Sequence, residues 1–246
     1  MKRLAVLLVL ACACQGPSPE PAPAASEPTA APQDTEAEPL ASEPAQAEPE
    51  PLDVPAAKAE AVALLDSGDP YSALALLDEV HAAAPDDAEA WYVRGKAALA
   101  AAELGQSAAD FYIDAQGAFE RAVGLGWGLD ALVGASRAAR MNLEPERSLE
   151  LARQADEALA SADPRPQLEQ PLERTLVEAL FGAYVARRQG GEDAPELYAE
   201  TEERLSGMTQ VAPEDSWAWA QLANLYQWGG QADLAAQAQE HVVDLS

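Results

Sequence analysis

Residues 216–245 read SWAWAQLANLYQWGGQADLAAQAQEHVVDL and hold three of the five tryptophans of the chain. Apolar residues recur there at spacings of three and four, which is the pattern of one face of an amphipathic helix. A glycine pair, Gly229 and Gly230, interrupts this pattern, and a second helical pattern follows the pair. The stretch therefore predicts a helical hairpin whose first helix is filled with large side chains.

The same alternation of helical patterns and helix-breaking residues extends back to Val54. Breaks that contain glycine or proline divide residues 54–246 into about ten segments, each long enough for three or four helical turns. Strand-like alternation is absent from the sequence of this range, and alanine, which favours close packing of helices, dominates its apolar residues. The sequence predicts an all-α domain of consecutive hairpins.

A proline followed six residues later by a tryptophan occurs twice, far apart in the chain. Trp91 follows Pro85, and Trp219 follows Pro213. In both places acidic residues stand at the start of the helix. Such a recurrence is typical of an internal repeat, in which each unit is one helical hairpin.

The C-terminal hairpin gives the clearest copy of the repeated unit. Its residues are Trp219-x2-Leu222-Ala223-x2-Tyr226 on the first helix and Ala235-x3-Gln239 on the second. This pattern resembles the tetratricopeptide repeat (TPR), which has W-x2-L-G-x2-Y on one helix and A-x3-F on the other. Ala223 takes the place of the glycine of the repeat, and Gln239 takes the place of its phenylalanine.

Other copies of the unit occupy residues 54–212. They are Ala73-x3-Leu77-x2-Val80, then Trp91-x2-Arg94-Gly95 with Ala115-x3-Phe119-x2-Ala122, then Val177-x2-Leu180-Phe181-x2-Tyr184, and a weaker copy in 132–140 with Ser148-x3-Ala152-x2-Ala155. The resemblance implies a right-handed solenoid of stacked hairpins over residues 54–246. A repeat spacing of about 42 residues in the middle of the chain leaves a HEAT-type repeat open as the alternative.

The first fourteen residues have the organisation of an export signal. Two basic residues precede a short apolar run that is too short to span a bilayer. Small residues before Cys12 and Cys14 resemble a bacterial lipobox, in which the cysteine becomes the lipid-modified first residue of the mature protein. We favour Cys14, with Cys12 as the alternative site and ordinary signal cleavage as the alternative process. Gln15, standing where an aspartate would favour inner-membrane retention, points to the outer membrane.

Residues 15–53 are rich in proline, alanine and glutamate, and 15–52 contain neither an aromatic nor a basic residue. Such a segment cannot bury enough apolar surface to offset the loss of chain entropy on folding. Repeated Glu-Pro pairs favour extended conformers. The sequence therefore predicts a disordered tether between the lipid anchor and the helical domain.

Charge and composition exclude several classes of function. The formal net charge of −27 opposes binding to nucleic acid and to anionic lipid, so only the lipid anchor should contact the membrane. The sequence contains only two histidines, His81 and His241, and it has no phosphate-binding loop or nucleophile motif. We therefore expect a non-enzymatic protein without a cofactor or metal.

The TPR resemblance implies a concave groove lined by residues one, five or eight positions after the tryptophan slot. That rule, with Trp217 added as a neighbouring aromatic residue, gives Tyr92, Lys96, Arg137, Arg140, Trp217 and Asn224. Because 33 acidic and 13 basic residues follow Asp53, cations gathered on one surface would be an exception suited to a peptide carboxylate. The complete carboxylate clamp of chaperone-binding TPR proteins is not present.

Two functions follow from these features. The first is an exported, lipid-anchored scaffold that binds a protein or peptide partner in the cell envelope. The alternative is a small-ligand-binding accessory lipoprotein of a transport system. That alternative requires an apolar pocket, for which Trp127, Trp217 and Trp228 are the candidate walls.

Overall fold

The computed structural model describes residues 51–105, 107–161 and 166–245, with side chains of the last range from residue 169 onward. The signal segment with Cys12 and Cys14, and the tether as far as residue 50, lie outside the described residues. Ten α-helices and no strand are present in the described ranges. They are α1 (Val54–Asp66), α2 (Pro70–Ala83), α3 (Ala88–Glu103), α4 (Ala108–Gly124), α5 (Leu129–Met141), α6 (Pro145–Ala160), α7 (Pro166–Gln189), α8 (Pro195–Val211), α9 (Ser216–Trp228) and α10 (Ala232–Asp244).

These helices form five hairpins, numbered here one to five, and confirm the breaks predicted from the sequence. Hairpin two is longer than a 34-residue repeat because α3 has 16 residues and α4 has 17. Hairpin four is longer still, because α7 has 24 residues and contains Pro171 within its first two turns. Longer helices therefore account for the wide repeat spacing in the middle of the chain.

Part of the excess of acidic residues is used to start helices. The carboxylates of Asp53, Asp69, Asp87 and Asp215 each accept a hydrogen bond from a backbone N–H two or three residues later, at 3.0–3.3 Å. Such N-caps satisfy amide groups that have no partner within the helix and stabilise it by about 1 kcal/mol each. Helix starts are therefore encoded locally.

The turn within each hairpin requires one residue in the left-handed region. Gly68, Gly105, Gly191 and Gly230 fill this position in four hairpins, with φ between +76° and +85°. In hairpin three the position is held by Leu143, with φ +61° and a side chain that is 87% exposed. A side chain at this φ costs about 1–2 kcal/mol, so hairpin three carries a strained turn.

The hairpins stack in chain order. Each second helix packs against the first helix of the next hairpin, and α1, α3, α5 and α7 also contact one another in sequence. The first helices of hairpins one to four consequently lie side by side on one face of the stack, which is where the sequence predicts a groove.

Two hydrophobic clusters form the core of this stack. The first cluster extends from α1 to α6 and includes Leu172 of α7. The second combines α7, α8 and α9 with Leu149 and Ala152 of α6, and includes Leu176 of α7. Helix α7 therefore contributes side chains to both clusters.

Candidate functional site

The two repeated tryptophans are held by the same hydrogen bond. Trp91 Nε1 donates to the carbonyl oxygen of Pro85 at 2.8 Å, and Trp219 Nε1 donates to that of Pro213 at 2.9 Å. Each bond spans six residues and fixes the loop before the helix to the indole of its first turn. The spacing seen in the sequence therefore has a structural cause.

Both histidines of the chain stack on these tryptophans. The ring centroids of His81 and Trp91 are 3.9 Å apart, and those of His241 and Trp219 are 4.0 Å apart. Burial lowers the pKa of His81, and the nearby guanidinium of Arg94 lowers it further. The histidines pack in the hairpins and face no common site.

Phe119 of α4 is clamped between two glycines of neighbouring helices. A Cβ atom built on Gly95 of α3, or on Gly134 of α5, would lie 2.7 Å from its ring. The ring is 1% exposed and forms the floor of a cavity between the first helices. The absence of side chains at Gly95 and Gly134 thus leaves room for the Phe119 ring, which forms the floor of the groove.

The cavity above Phe119 has a volume of about 240 Å³ and is called the groove cavity here. It is bounded by α3, α5 and the N-terminal part of α7. Its walls include Tyr92, Lys96, Leu99, Val133, Arg137 and Leu172. Asp130 lines it as well, so the cavity combines apolar walls with two cations and one carboxylate. The structure thus brings together three predicted groove residues, Tyr92, Lys96 and Arg137.

Almost all lysine and arginine side chains in the described part of the chain are engaged in ion pairs, most of which join different helices or a helix and a loop. Arg137 binds Glu103 at 2.8 Å, and Arg140 binds Glu178 at 2.9 Å. The other pairs involve Lys58, Arg94, Arg121, Arg147, Arg153, Arg174, Arg187, Arg188 and Arg204. Within the described ranges, Lys96 is the one lysine or arginine whose side chain forms no ion pair with a carboxylate.

The ammonium group of Lys96 lies instead over an aromatic ring. Its Nζ is 5.9 Å from the centroid of the Tyr92 ring, a distance compatible with a cation–π interaction. Trp127 also stacks on Tyr92, with the two ring centroids 5.3 Å apart. Burial raises the pKa of Tyr92, which keeps its hydroxyl protonated as a donor. The groove cavity therefore offers a free ammonium group beside a neutral phenol.

The remaining predicted residues lie elsewhere. Arg140 is one turn beyond Arg137 on α5 and does not line the groove cavity. The Trp217 ring packs under the guanidinium of Arg174 at 4.9 Å. Asn224 lines a separate cavity of about 270 Å³ between α9 and α10. Their roles in binding stay predictions, but the structure does not join them to the groove cavity.

The three tryptophans considered as walls of a ligand pocket are also separated. Trp127 packs on Tyr92 of hairpin two, whereas Trp217 packs on Arg174 of hairpin four. Trp228 ends α9 and is 41% exposed. The structure does not assemble them around one pocket.

A second and larger cavity was not foreseen from the sequence. It has a volume of about 490 Å³ and lies between the N-terminal part of α7, the C-terminal part of α8 and the start of α9. We call it the α7–α8 cavity. The repeat motif of hairpin four begins at Val177, so the repeat pattern assigns no function to residues 166–176. The helical pattern upstream of Val177 was the signal that could have revealed it.

Metal sites and membrane-spanning helices are absent from the described ranges. No cluster of three or more histidine, aspartate or glutamate side chains there could hold a metal ion. Within the same ranges, no helix combines the length and the apolar character needed to cross a membrane.

Comparison with known proteins identifies the fold. No protein-family model and no curated sequence matches the chain. The solved structure of YrrB, a TPR protein with an unusual peptide-binding site, matches with a TM-score of 0.60 and 16% identity, covering 79% of this chain and 87% of YrrB. MamA from Desulfovibrio magneticus RS-1, solved from residue 41 to its end, matches with a TM-score of 0.59 and 19% identity, covering 78% of this chain and 94% of the solved MamA chain. The chain therefore has a TPR-like fold, as its repeated motif predicted.

Proposed function

We propose that this protein is a lipid-anchored, extracytoplasmic scaffold that binds a protein partner through the groove cavity. The observation that carries the proposal is the unpaired Lys96 in a domain whose other described cations are engaged in ion pairs. A free ammonium group beside an apolar cavity is suited to a peptide carboxylate next to an apolar side chain. Arg137, 54% exposed, can add a second contact to the carboxylate.

The size of the groove cavity supports a peptide rather than a separate small molecule. Sites for drug-sized ligands enclose about 300–1,000 Å³, more than the groove cavity provides. One or two side chains of a peptide would occupy it, with the rest of the peptide lying along α3, α5 and α7. YrrB, which shares the fold, is a TPR protein with an unusual peptide-binding site. A solenoid that presents an extended face is a usual platform for such binding.

Attachment to the membrane rests on the sequence alone. The lipobox-like segment ends at Cys14, or alternatively at Cys12, and the Pro/Ala/Glu-rich tether follows it. The anchor would hold the domain at the envelope while the tether lets the groove reach a partner. No catalytic step is assigned to the protein in this proposal.

Photocrosslinking from the groove tests the scaffold. Trp127 stacks on a wall of the groove cavity, so benzoylphenylalanine in its place should crosslink one partner in living cells. Lys96→Glu should abolish the product, whereas Lys96→Arg should retain it because the charge is kept. Benzoylphenylalanine at Trp228 and the charge reversal Arg121→Glu, on the exposed side of α4, serve as matched controls. A product that survives Lys96→Glu, or that forms equally from position 228, would contradict the proposal.

Metabolic labelling with a radioactive fatty acid tests the anchor. Cys14→Ala should lose the label and leave the membrane fraction, whereas Cys12→Ala should keep both. Label lost from Cys12→Ala alone would move the site to that residue. Label retained by the double variant would rule out lipidation in this segment.

A further inference from the structure

The α7–α8 cavity lies on the side of α7 that faces away from the groove cavity. Glu169, Gln170 and Glu173 line the α7–α8 cavity, whereas Pro171 and Leu172 line the groove cavity. With about 100° between successive residues of a helix, these two sets point in nearly opposite directions. The two cavities are therefore separate sites that share one helix as a wall.

The floor of the α7–α8 cavity is apolar. Gly207, Met208 and Val211 of α8 form it together with Ala212. Val211 is 89% exposed and therefore lies at the open edge of this floor. The cavity is open to solvent, and its volume of about 490 Å³ falls within the volume range of small-molecule sites.

The rim carries three carboxylates from two segments of the chain. Glu169 and Glu173 come from α7, and Asp215 from the loop before α9. The sole cation of the lining, Arg204, is surrounded by carboxylates, with Asp156 at 3.0 Å, Glu173 at 2.9 Å and Glu200 at 3.8 Å. Its positive charge is thus more than balanced.

A second guanidinium near the cavity is occupied as well. Arg174 binds Asp215 at 2.8 Å and covers the Trp217 ring. Five carboxylates therefore face two guanidinium groups, and Glu169 forms no ion pair among the described residues. Because the excess charge of this rim is negative, it would repel an anionic amphiphile and would not attract a neutral one by charge.

From this charge and shape we infer that the α7–α8 cavity binds a small organic amine, with its apolar body on the α8 floor and its ammonium group among the rim carboxylates. The ammonium group donates hydrogen bonds to Glu169 and Glu173, whose oxygens accept them. The site is independent of the peptide groove proposed above.

Calorimetric titration of the full mature chain with octylammonium, octanoate and octanol tests the assignment. Octylammonium should bind, and octanoate and octanol should bind at least about tenfold more weakly, since only the ammonium group meets the rim charge. Added salt should weaken octylammonium binding. Absence of octylammonium binding, or equal binding of octanol, would overturn the inference.

Two variants locate the site without disturbing the core. Val211→Lys places a cation at the exposed edge of the floor, and Glu169→Lys reverses the rim charge. Each should weaken octylammonium binding at least about tenfold. The matched control is Val243→Lys on α10, where the valine is 65% exposed and remote in sequence from the cavity. Loss of binding in that control would show non-specific charge repulsion instead. Lys96→Glu should leave amine binding unchanged, which separates this test from that of the groove.

Discussion

Hairpins two and five carry the same motif but bury it to different extents. In hairpin two the phenylalanine position holds Phe119, 1% exposed and in contact with Gly134 of the next hairpin. In hairpin five it holds Gln239, which is exposed, and Ala238 is the one buried residue of α10. No described helix packs on the outer side of α10. The large residue of the second helix therefore fills the space between its own hairpin and a following one, and hairpin five has no described neighbour on that side.

The tryptophan position behaves differently. Trp91 and Trp219 form the same bond to a proline carbonyl, yet their histidine partners come from different places. His81 belongs to α2 of the preceding hairpin, whereas His241 belongs to α10 of the same hairpin. The proline bond is local and repeats with the motif, and the stacking partner depends on which helix is available.

Removal of the phenylalanine ring should have the largest effect on stability. Phe119→Ala leaves a void between α3, α4 and α5 and should lower the free energy of unfolding by about 3–5 kcal/mol. Gln239→Ala, at the same position of hairpin five, should change it by less than about 0.5 kcal/mol. Urea denaturation followed by circular dichroism measures both. Equal losses would show that the position matters within the hairpin rather than between neighbours.

Opposite substitutions at the glycine position of the two hairpins should both lower stability, for different reasons. Gly95→Ala forces the Phe119 ring to move and should cost about 1–3 kcal/mol. Ala223→Gly should also lower the free energy of unfolding, by about 1 kcal/mol, because glycine is a poor helix former. Hairpin five has no phenylalanine that would use the space left by the removed methyl group. Gly117→Ala is the control: it lies within α4, a new Cβ meets no atom within 4 Å, and stability should rise. A stabilised Gly95→Ala variant would contradict the clamp around Phe119.

Local signals allowed most of the fold to be predicted from the sequence. Helix breaks and the two Pro–Trp pairs depend on residues close in the chain, and each was found. The groove positions Tyr92, Lys96 and Arg137 followed from the repeat register. The repeat register could not predict the ion pair of Arg137 or the distance of Asn224 from the groove cavity, because both depend on how the hairpins stack. The α7–α8 cavity was missed for the same reason.

The turn of hairpin three extends the comparison to a position that hairpins two and five fill with Gly105 and Gly230. Leu143→Gly should raise the free energy of unfolding by up to about 1 kcal/mol, since it relieves the left-handed strain but adds freedom to the unfolded chain. The reverse change, Gly230→Leu, should lower it by about 1–2 kcal/mol. Thermal unfolding measures both. A loss of stability in Leu143→Gly would mean that the exposed leucine makes a stabilising contact.

The smallest expected effect is a pH dependence specific to one histidine. Because the pKa of His81 is lowered in the folded state, the unfolded chain binds the proton more tightly. Stability from the neutral imidazole is fully present above about pH 6.5 and falls as the pH drops below that value. Urea midpoints of His81→Gln should lack this slope between pH 7 and 5, compared with the wild type. His241→Gln is the matched control and should retain it.

Helix α7 has a consequence for how the domain unfolds. In a simple stack of repeats, hairpins at either end can open while the others stay folded. Here Leu172 completes one hydrophobic cluster and Leu176, one turn later, completes the other. Neither cluster can lose α7 without exposing apolar surface of its neighbour. Amide hydrogen exchange should consequently report one shared opening for α5 to α8, with earlier opening confined to the outermost helices.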